Sequence, residues 1–227
     1  MKADRIIIFL LTLLLSLSLF SCTESTVKNR EYDEQEVLLE ARELIEKSIS
    51  LNEILYGDGL SYDEESGIGI YKEATEESLS KYGIADMKDL TEKIEAVFSD
   101  SYIKTINSSD IFNPIVDEGV TLSYARYFED EKETDDPQLK KSIILVNSKY
   151  EYTLKNKYEY IGELSVKGSE GEYVIVSSVV RATRADGAVR DFVIEIKLIE
   201  ETYGWRLSTP TYVVYNEYTD IYEDMIK

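Results

Sequence analysis

The sequence predicts an α+β domain in which N-terminal helices pack on a curved antiparallel sheet of five or six strands. Three observations point there. Apolar residues recur at spacings of three and four over residues 33–55 and again over 86–106, the period of a helix with one buried face. After Gly119 the chain changes to runs rich in Val, Ile and Tyr, separated by Gly, Asp and Ser, which is how strands and their turns read. The two patterns do not interleave, and helices followed by strands is the α+β order rather than repeated βαβ units.

The chain opens with Lys2 and Arg5 ahead of an apolar run from Ile6 to Phe20, closing on Leu19-Phe20-Ser21-Cys22. A basic start, a short apolar core and a small residue before the cut make a secretory signal. The run is about 15 residues, short of the roughly 20 that span a bilayer as a helix. Residues 1–21 are therefore expected to be cleaved and Cys22, the sole cysteine, to carry the lipid of a bacterial lipoprotein. Phe20 is bulkier than the residue usual at its place, and an uncleaved anchor is the alternative. Two or three acyl chains, at about 0.8 kcal/mol per buried methylene, hold a protein stably on a membrane. This places the protein extracytoplasmically, anchored to the outer face of the cell membrane by lipidated Cys22. Residues 22–32 read as lipidated cysteine and polar tether, and residues 33–227 as one domain.

From Asp33, residues Val37, Ala41, Leu44, Ser48, Leu51 and Leu55 form the buried stripe of a long helix, widened by Leu38, Ile45 and Ile49. Gly57 and Gly59 stop it. Residues 62–69 are acidic and glycine-containing, hence a loop, and 70–74 a short extended piece. Asp86 is a good N-cap for a second helix carrying Met87, Leu90, Ile94, Val97 and Phe98. Ser99-Asp100-Ser101 starts another turn bearing Tyr102, Ile103 and Ile106, and 107–114 is connection.

Strands are expected over 121–128, 142–153, 158–166, 173–181, 190–200 and 205–215, with residues 129–137 an exposed, charged excursion. Phe192, Ile194, Ile196 and Leu198 alternate with Asp191, Val193, Glu195 and Lys197, giving one core face and one wet face. Tyr150-Glu151-Tyr152 and Tyr158-Glu159-Tyr160 suggest a hairpin with paired tyrosines. A curved sheet with helices on one face leads to a cystatin-like or NTF2-like architecture, with a lidded β-barrel as the other option.

Several short motifs fit that architecture: Leu55-Tyr56-Gly57, Gly69-Ile70-Tyr71-Lys72-Glu73, Met87-Lys88-Asp89-Leu90, Val97-Phe98-Ser99, Asp191-Phe192-Val193-Ile194, Gly204-Trp205-Arg206-Leu207 and Ser208-Thr209-Pro210-Thr211-Tyr212. In this order they resemble the NTF2-like extracytoplasmic lipoproteins of Gram-positive bacteria, including the inhibitor of cell-wall D,L-endopeptidases, over residues 37–215. The resemblance implies a protein that docks on secreted peptidoglycan hydrolases and blocks their cleft. The lipid anchor departs from that inhibitor, which is not always membrane-tethered.

Composition narrows the chemistry. The net charge of -20 repels nucleic acid and anionic lipid. No histidine is present, so the imidazole base and the commonest transition-metal ligand are missing. With Cys22 committed to lipid, no thiol nucleophile, disulfide or thiolate site is left. No cofactor or metal is expected, although Asp58, Asp63, Glu64 and Glu65 put four carboxylates in one loop that could offer calcium its oxygen ligands. A carboxylate hydrolase would need a pair such as Glu163 and Glu195 to converge on a cleft. The favoured reading is a non-catalytic binding module. For a small ligand in the cone of the sheet the candidates are Tyr56, Tyr71, Tyr150, Tyr160 and Trp205, since tyrosine and tryptophan join an apolar body to a polar tip. For a protein partner the candidates are Glu129, Asp130, Glu133, Asp135 and Asp136 on the excursion.

Overall fold

The protein is described by a computed structural model covering residues 32–133 and 140–216. The signal segment, Cys22, Asp135 and Asp136 lie outside the described residues. The elements in order are α1 (Glu34–Tyr56), β1 (Tyr71–Glu73), α2 (Glu76–Tyr82), α3 (Met87–Val97), α4 (Asp100–Asn107), β2 (Ile115–Asp117), β3 (Val120–Ser123), β4 (Tyr127–Glu133), β5 (Lys140–Asn147), β6 (Lys157–Tyr160), β7 (Ser165–Glu170), β8 (Tyr173–Thr183), β9 (Val189–Glu201) and β10 (Gly204–Leu207).

α1 starts where Asp33 accepts the amide of Gln35 at 2.8 Å, satisfying an otherwise orphaned donor. The expected stripe of Val37, Ala41, Leu44, Ser48, Leu51 and Leu55 is buried, together with Ile45, Asn52 and Ile54. Ile49 is exposed instead of widening that stripe. The helix ends as Gly57 N–H reaches back to the carbonyls of Asn52 and Glu53. α3 and α4 start at the expected caps, with Asp86 accepting from Asp89 N–H at 2.8 Å and Ser99 from Tyr102 N–H at 3.3 Å. Helix α2 lay beyond the sequence expectation. Its seven residues are too few for a periodic stripe, and it rests on its caps, Thr75 in front and Gly83 in left-handed conformation behind.

The α+β order stands, and the main sheet has five strands, strongly curled into a half-barrel. The order is β10-β9-β8-β6, with β7 also paired to β8. All pairings are antiparallel, and β8 meets β9 from Tyr173↔Ile199 to Thr183↔Val189. Inward residues Val174, Val176, Val180, Ile194, Ile196 and Leu198 share one core with the buried face of α1, with α3, and with Trp205 and Leu207. Each fully buried aliphatic side chain there contributes about 1.5–3 kcal/mol. These side chains fill the contact of α1 with β8 and β9.

Four strand expectations are corrected. The run 158–166 is two strands because Ile161 and Gly162 both donate to Val179 O, a bulge in which an added Cβ on Gly162 would lie 2.9 Å from Val179 N. The run 121–128 breaks at residues 124–126, where Arg126 turns inward. Residues 142–153 stop pairing at Asn147, whose side chain and carbonyl take the amides of Lys149 and Tyr150. The run 205–215 pairs only as far as Leu207, and residues 208–215 are irregular. The excursion is also corrected: Glu129 to Glu133 belong to β4, paired with β5 in a second sheet of order β1-β5-β4. Tyr158 and Tyr160 pair with β8, not with Tyr150 and Tyr152. A third sheet is the hairpin β2-β3.

Candidate functional site

Three of the five candidate aromatic residues share one neighbourhood: Tyr212 interacts with Tyr56, Tyr150 and Tyr158, and Tyr158 with Tyr160. Trp205 is buried in the core. Tyr56, at the end of α1, has its ring 5.0 Å from that of Tyr212 and its hydroxyl 3.4 Å from that of Tyr102. Tyr160 donates to Thr211 O at 2.6 Å. Tyr150 donates to Asp110 Oδ1 at 2.9 Å, and Tyr71 to Ala125 O at 3.1 Å. Their polar tips thus serve the scaffold. Burial raises the phenol pKa values of Tyr56, Tyr102, Tyr160 and Tyr212, and pushes Tyr158 up to about 12, because a phenolate is poorly solvated there.

Arg126 organises the ground beneath the site, and the sequence reading did not single it out. It is only 2% exposed. Its guanidinium donates to Leu55 O at 3.0 Å and Gly57 O at 2.6 Å, the free carbonyls at the negative end of α1. It also lies 4.9 Å from the ring centre of Tyr150 and 5.3 Å from that of Tyr127, within cation–π range. Tyr127, next in sequence, donates to Ile54 O at 2.7 Å. A single arginine inside an aromatic run, Tyr124-Ala125-Arg126-Tyr127-Phe128, was the available signal.

The carboxylates do not concentrate. Asp63 Oδ1 accepts Glu65 N–H at 3.0 Å in a turn, and Asp58 lies near Tyr152, whose phenol pKa it raises. Among the described residues no group of three acidic, histidine or cysteine side chains is placed to hold a metal. Glu163 lines a groove of about 520 Å³ with Tyr160, Arg42 and Glu46. Glu195 is exposed on β9 opposite Ser177. On β4, Glu129 accepts from Ser142 at 2.6 Å, Glu131 pairs with Lys140 at 2.6 Å, and Lys132 pairs with Glu73 at 2.9 Å. Asp130 Oδ1 accepts the Glu131 amide, and Glu133 is exposed opposite Lys140. Lys140 of the neighbouring strand, which the linear reading could not place, thus offsets part of this acidity.

Apolar exposure is concentrated close by. On the hairpin Val120 is 63% and Leu122 65% exposed, followed by Tyr124 at 56% and Phe128 at 52%, and Val116 is exposed on the partner strand. The hairpin turns on two residues, Glu118 at φ 46 and Gly119 at φ 81, the left-handed pair that suits the twist of a tight hairpin. The turn projects the strands beyond the core. Leu122 and Tyr124 share a hollow of about 290 Å³ with Ile70 and Tyr150. The rings of Phe128 and Tyr71 are 6.0 Å apart, carrying the apolar row onto the outer face of the second sheet. An isolated two-stranded hairpin is marginal in water, and contiguous exposed apolar surface marks interaction sites. Aromatic residues of this kind supply the anchors of protein interfaces.

No family model, curated protein or solved structure matches this chain.

Proposed function

We propose that this chain is a non-catalytic docking protein of the bacterial cell envelope, anchored by lipid at Cys22, which restrains a secreted peptidoglycan hydrolase. The single observation that carries the docking role is the exposed row Val120, Leu122, Tyr124 and Phe128 on elements standing outside the core. Anchoring such side chains in a partner would remove them from water at about 25 cal/mol per Å². The internally bonded hydroxyls of Tyr71, Tyr150 and Tyr160 favour a protein partner over a ligand held in the cone. The chain's net charge of -20 favours a partner that is basic around an apolar centre, since complementary charge speeds encounter. A hydrolase as the partner class rests on the resemblance of the aromatic and aliphatic motifs.

The test is digestion of peptidoglycan by purified D,L-endopeptidases with and without the full chain. Dose-dependent inhibition, lost on Leu122→Asp, is expected. Undiminished digestion at saturating protein, or inhibition indifferent to Leu122→Asp, would sink the reading.

A further inference from the structure

A second site lies away from the apolar row. Between α1, α3 and the turn that follows α2 is a pocket of about 300 Å³, lined by Leu51, Ile54, Ile84, Ala96 and Val97 with Tyr82 and Ser50 beside them. Its only charged lining groups are Lys47 of α1 and Lys93 of α3. The chain holds 45 acidic residues against 25 basic ones, so a wholly cationic lining runs against its background. The two ammonium groups contact Glu43 at 3.6 Å and Asp89 at 3.9 Å, each one helical turn away, the first pair exposed and the second half-buried. Such long surface pairs are weak and yield to a competing anion. At the turn Gly83 sits at φ 61, and the nearest atom to a Cβ built there would be Lys93 Nζ at 4.0 Å. The backbone thus leaves the mouth open beside that ammonium.

We propose that this pocket binds a small carboxylate with one apolar body, of the medium-chain alkyl carboxylate class. The apolar body rests on Leu51, Ile54, Ile84 and Val97, and the carboxylate takes the ammonium groups of Lys47 and Lys93 in place of Glu43 and Asp89. The volume is at the lower end for ligand sites and suits a single short chain rather than a two-chain lipid. An apolar floor with a few convergent polar groups at its rim is the usual composition of such sites. Nothing in this inference depends on the docking row.

The experiment titrates octanoate into the full chain held in zwitterionic nanodiscs and follows the methyl resonances of Leu51, Ile54, Ile84 and Val97. Octanol and octyltrimethylammonium serve as the neutral and cationic comparisons. Octanoate is expected to shift those methyls saturably, with octanol weaker and octyltrimethylammonium without effect. Lys47→Gln with Lys93→Gln should weaken octanoate about tenfold, the size of two surface ion pairs, and leave octanol unchanged. Ala96→Trp should fill the pocket and block both. Equal affinity for octanoate and octanol, octanoate binding unaffected by the lysine substitutions, or shifts confined to other methyls would overturn the proposal. Because Lys47 is exposed and Lys93 only half-buried, their replacement tests it even where Ala96→Trp fails to fold.

Discussion

The guanidinium of Arg126 donates to the main-chain oxygen of Gly57 at 2.6 Å, tying the first residue past α1 to the chain entering β4. A second donation to Leu55 O makes the arginine a cap supplied from 71 residues away. The last turn of α1 holds no basic residue of its own, so this cation meets the negative end of the helix dipole.

Arg126→Leu should therefore destabilise the fold by about 3 kcal/mol, because two charge-assisted hydrogen bonds are lost and two buried carbonyls are orphaned. Arg126→Lys should recover only part of this, since a point charge cannot reproduce the forked donation. Chemical denaturation of the three proteins measures both values.

Gly59 closes the same seat. Its φ is +78, and a Cβ there would fall 2.1 Å from Arg126 Nη2 and 2.5 Å from the Tyr127 hydroxyl. Gly59→Ala should cost at least about 2 kcal/mol through backbone strain and displacement of the arginine. Combined with Arg126→Ala, the two costs should fall short of their sum by about 1 kcal/mol, because the clash has lost its target. A double-mutant cycle in denaturant reads this coupling.

Alkaline pH should loosen the contact between α1 and β6. Tyr158, which accepts from Asn52 Nδ2 at 3.0 Å, has its pKa raised from 10 to about 12, chiefly by burial. The folded state thus holds the phenol proton more tightly than the unfolded chain does. Stability from this group is full below pH 10 and falls as pH rises through about 12, since the unfolded state binds fewer protons in that window. Tyr56, Tyr102, Tyr160 and Tyr212 shift in the same direction. Denaturation midpoints that drop through this window, in step with tyrosinate absorbance, are expected. Tyr158→Phe should shrink the drop.

Tyr124→Ser and Phe128→Ser should leave stability within about 0.5 kcal/mol of the parent, as exposed substitutions do, while weakening partner binding by 1 kcal/mol or more if these rings are anchors. Thermal melts and binding isotherms on the same preparations separate the two effects.

The sequence disclosed the helices where burial and capping agree. Val37 through Leu55 repeat with helical period, and Asp86 and Ser99 are strong caps, so α1, α3 and α4 were legible. The main strands β8 and β9 were also legible, because their alternation needs only a core on one side. Where a residue answers to distant atoms, local reading failed. Gly162 breaks a strand because of Val179, and Arg126 breaks another because of carbonyls at Leu55 and Gly57. The charge of Glu129 to Glu133 was visible, but the lysine that pairs with Glu131 comes from β5 and its register. The exposed row was hidden for the opposite reason: Val120 and Leu122 have the pattern of a half-buried strand, and only the fold shows that none of the described residues covers them.

The most direct test of docking through the hairpin is a photo-reactive side chain placed at Leu122 of the full chain, with one at Glu92 on α3 as the comparison. Irradiation of intact cells followed by mass spectrometry should join a D,L-endopeptidase to the protein from position 122 and not from position 92. Endopeptidase adducts from position 92 alone, or none from position 122 although the enzyme is present, would contradict docking at this hairpin.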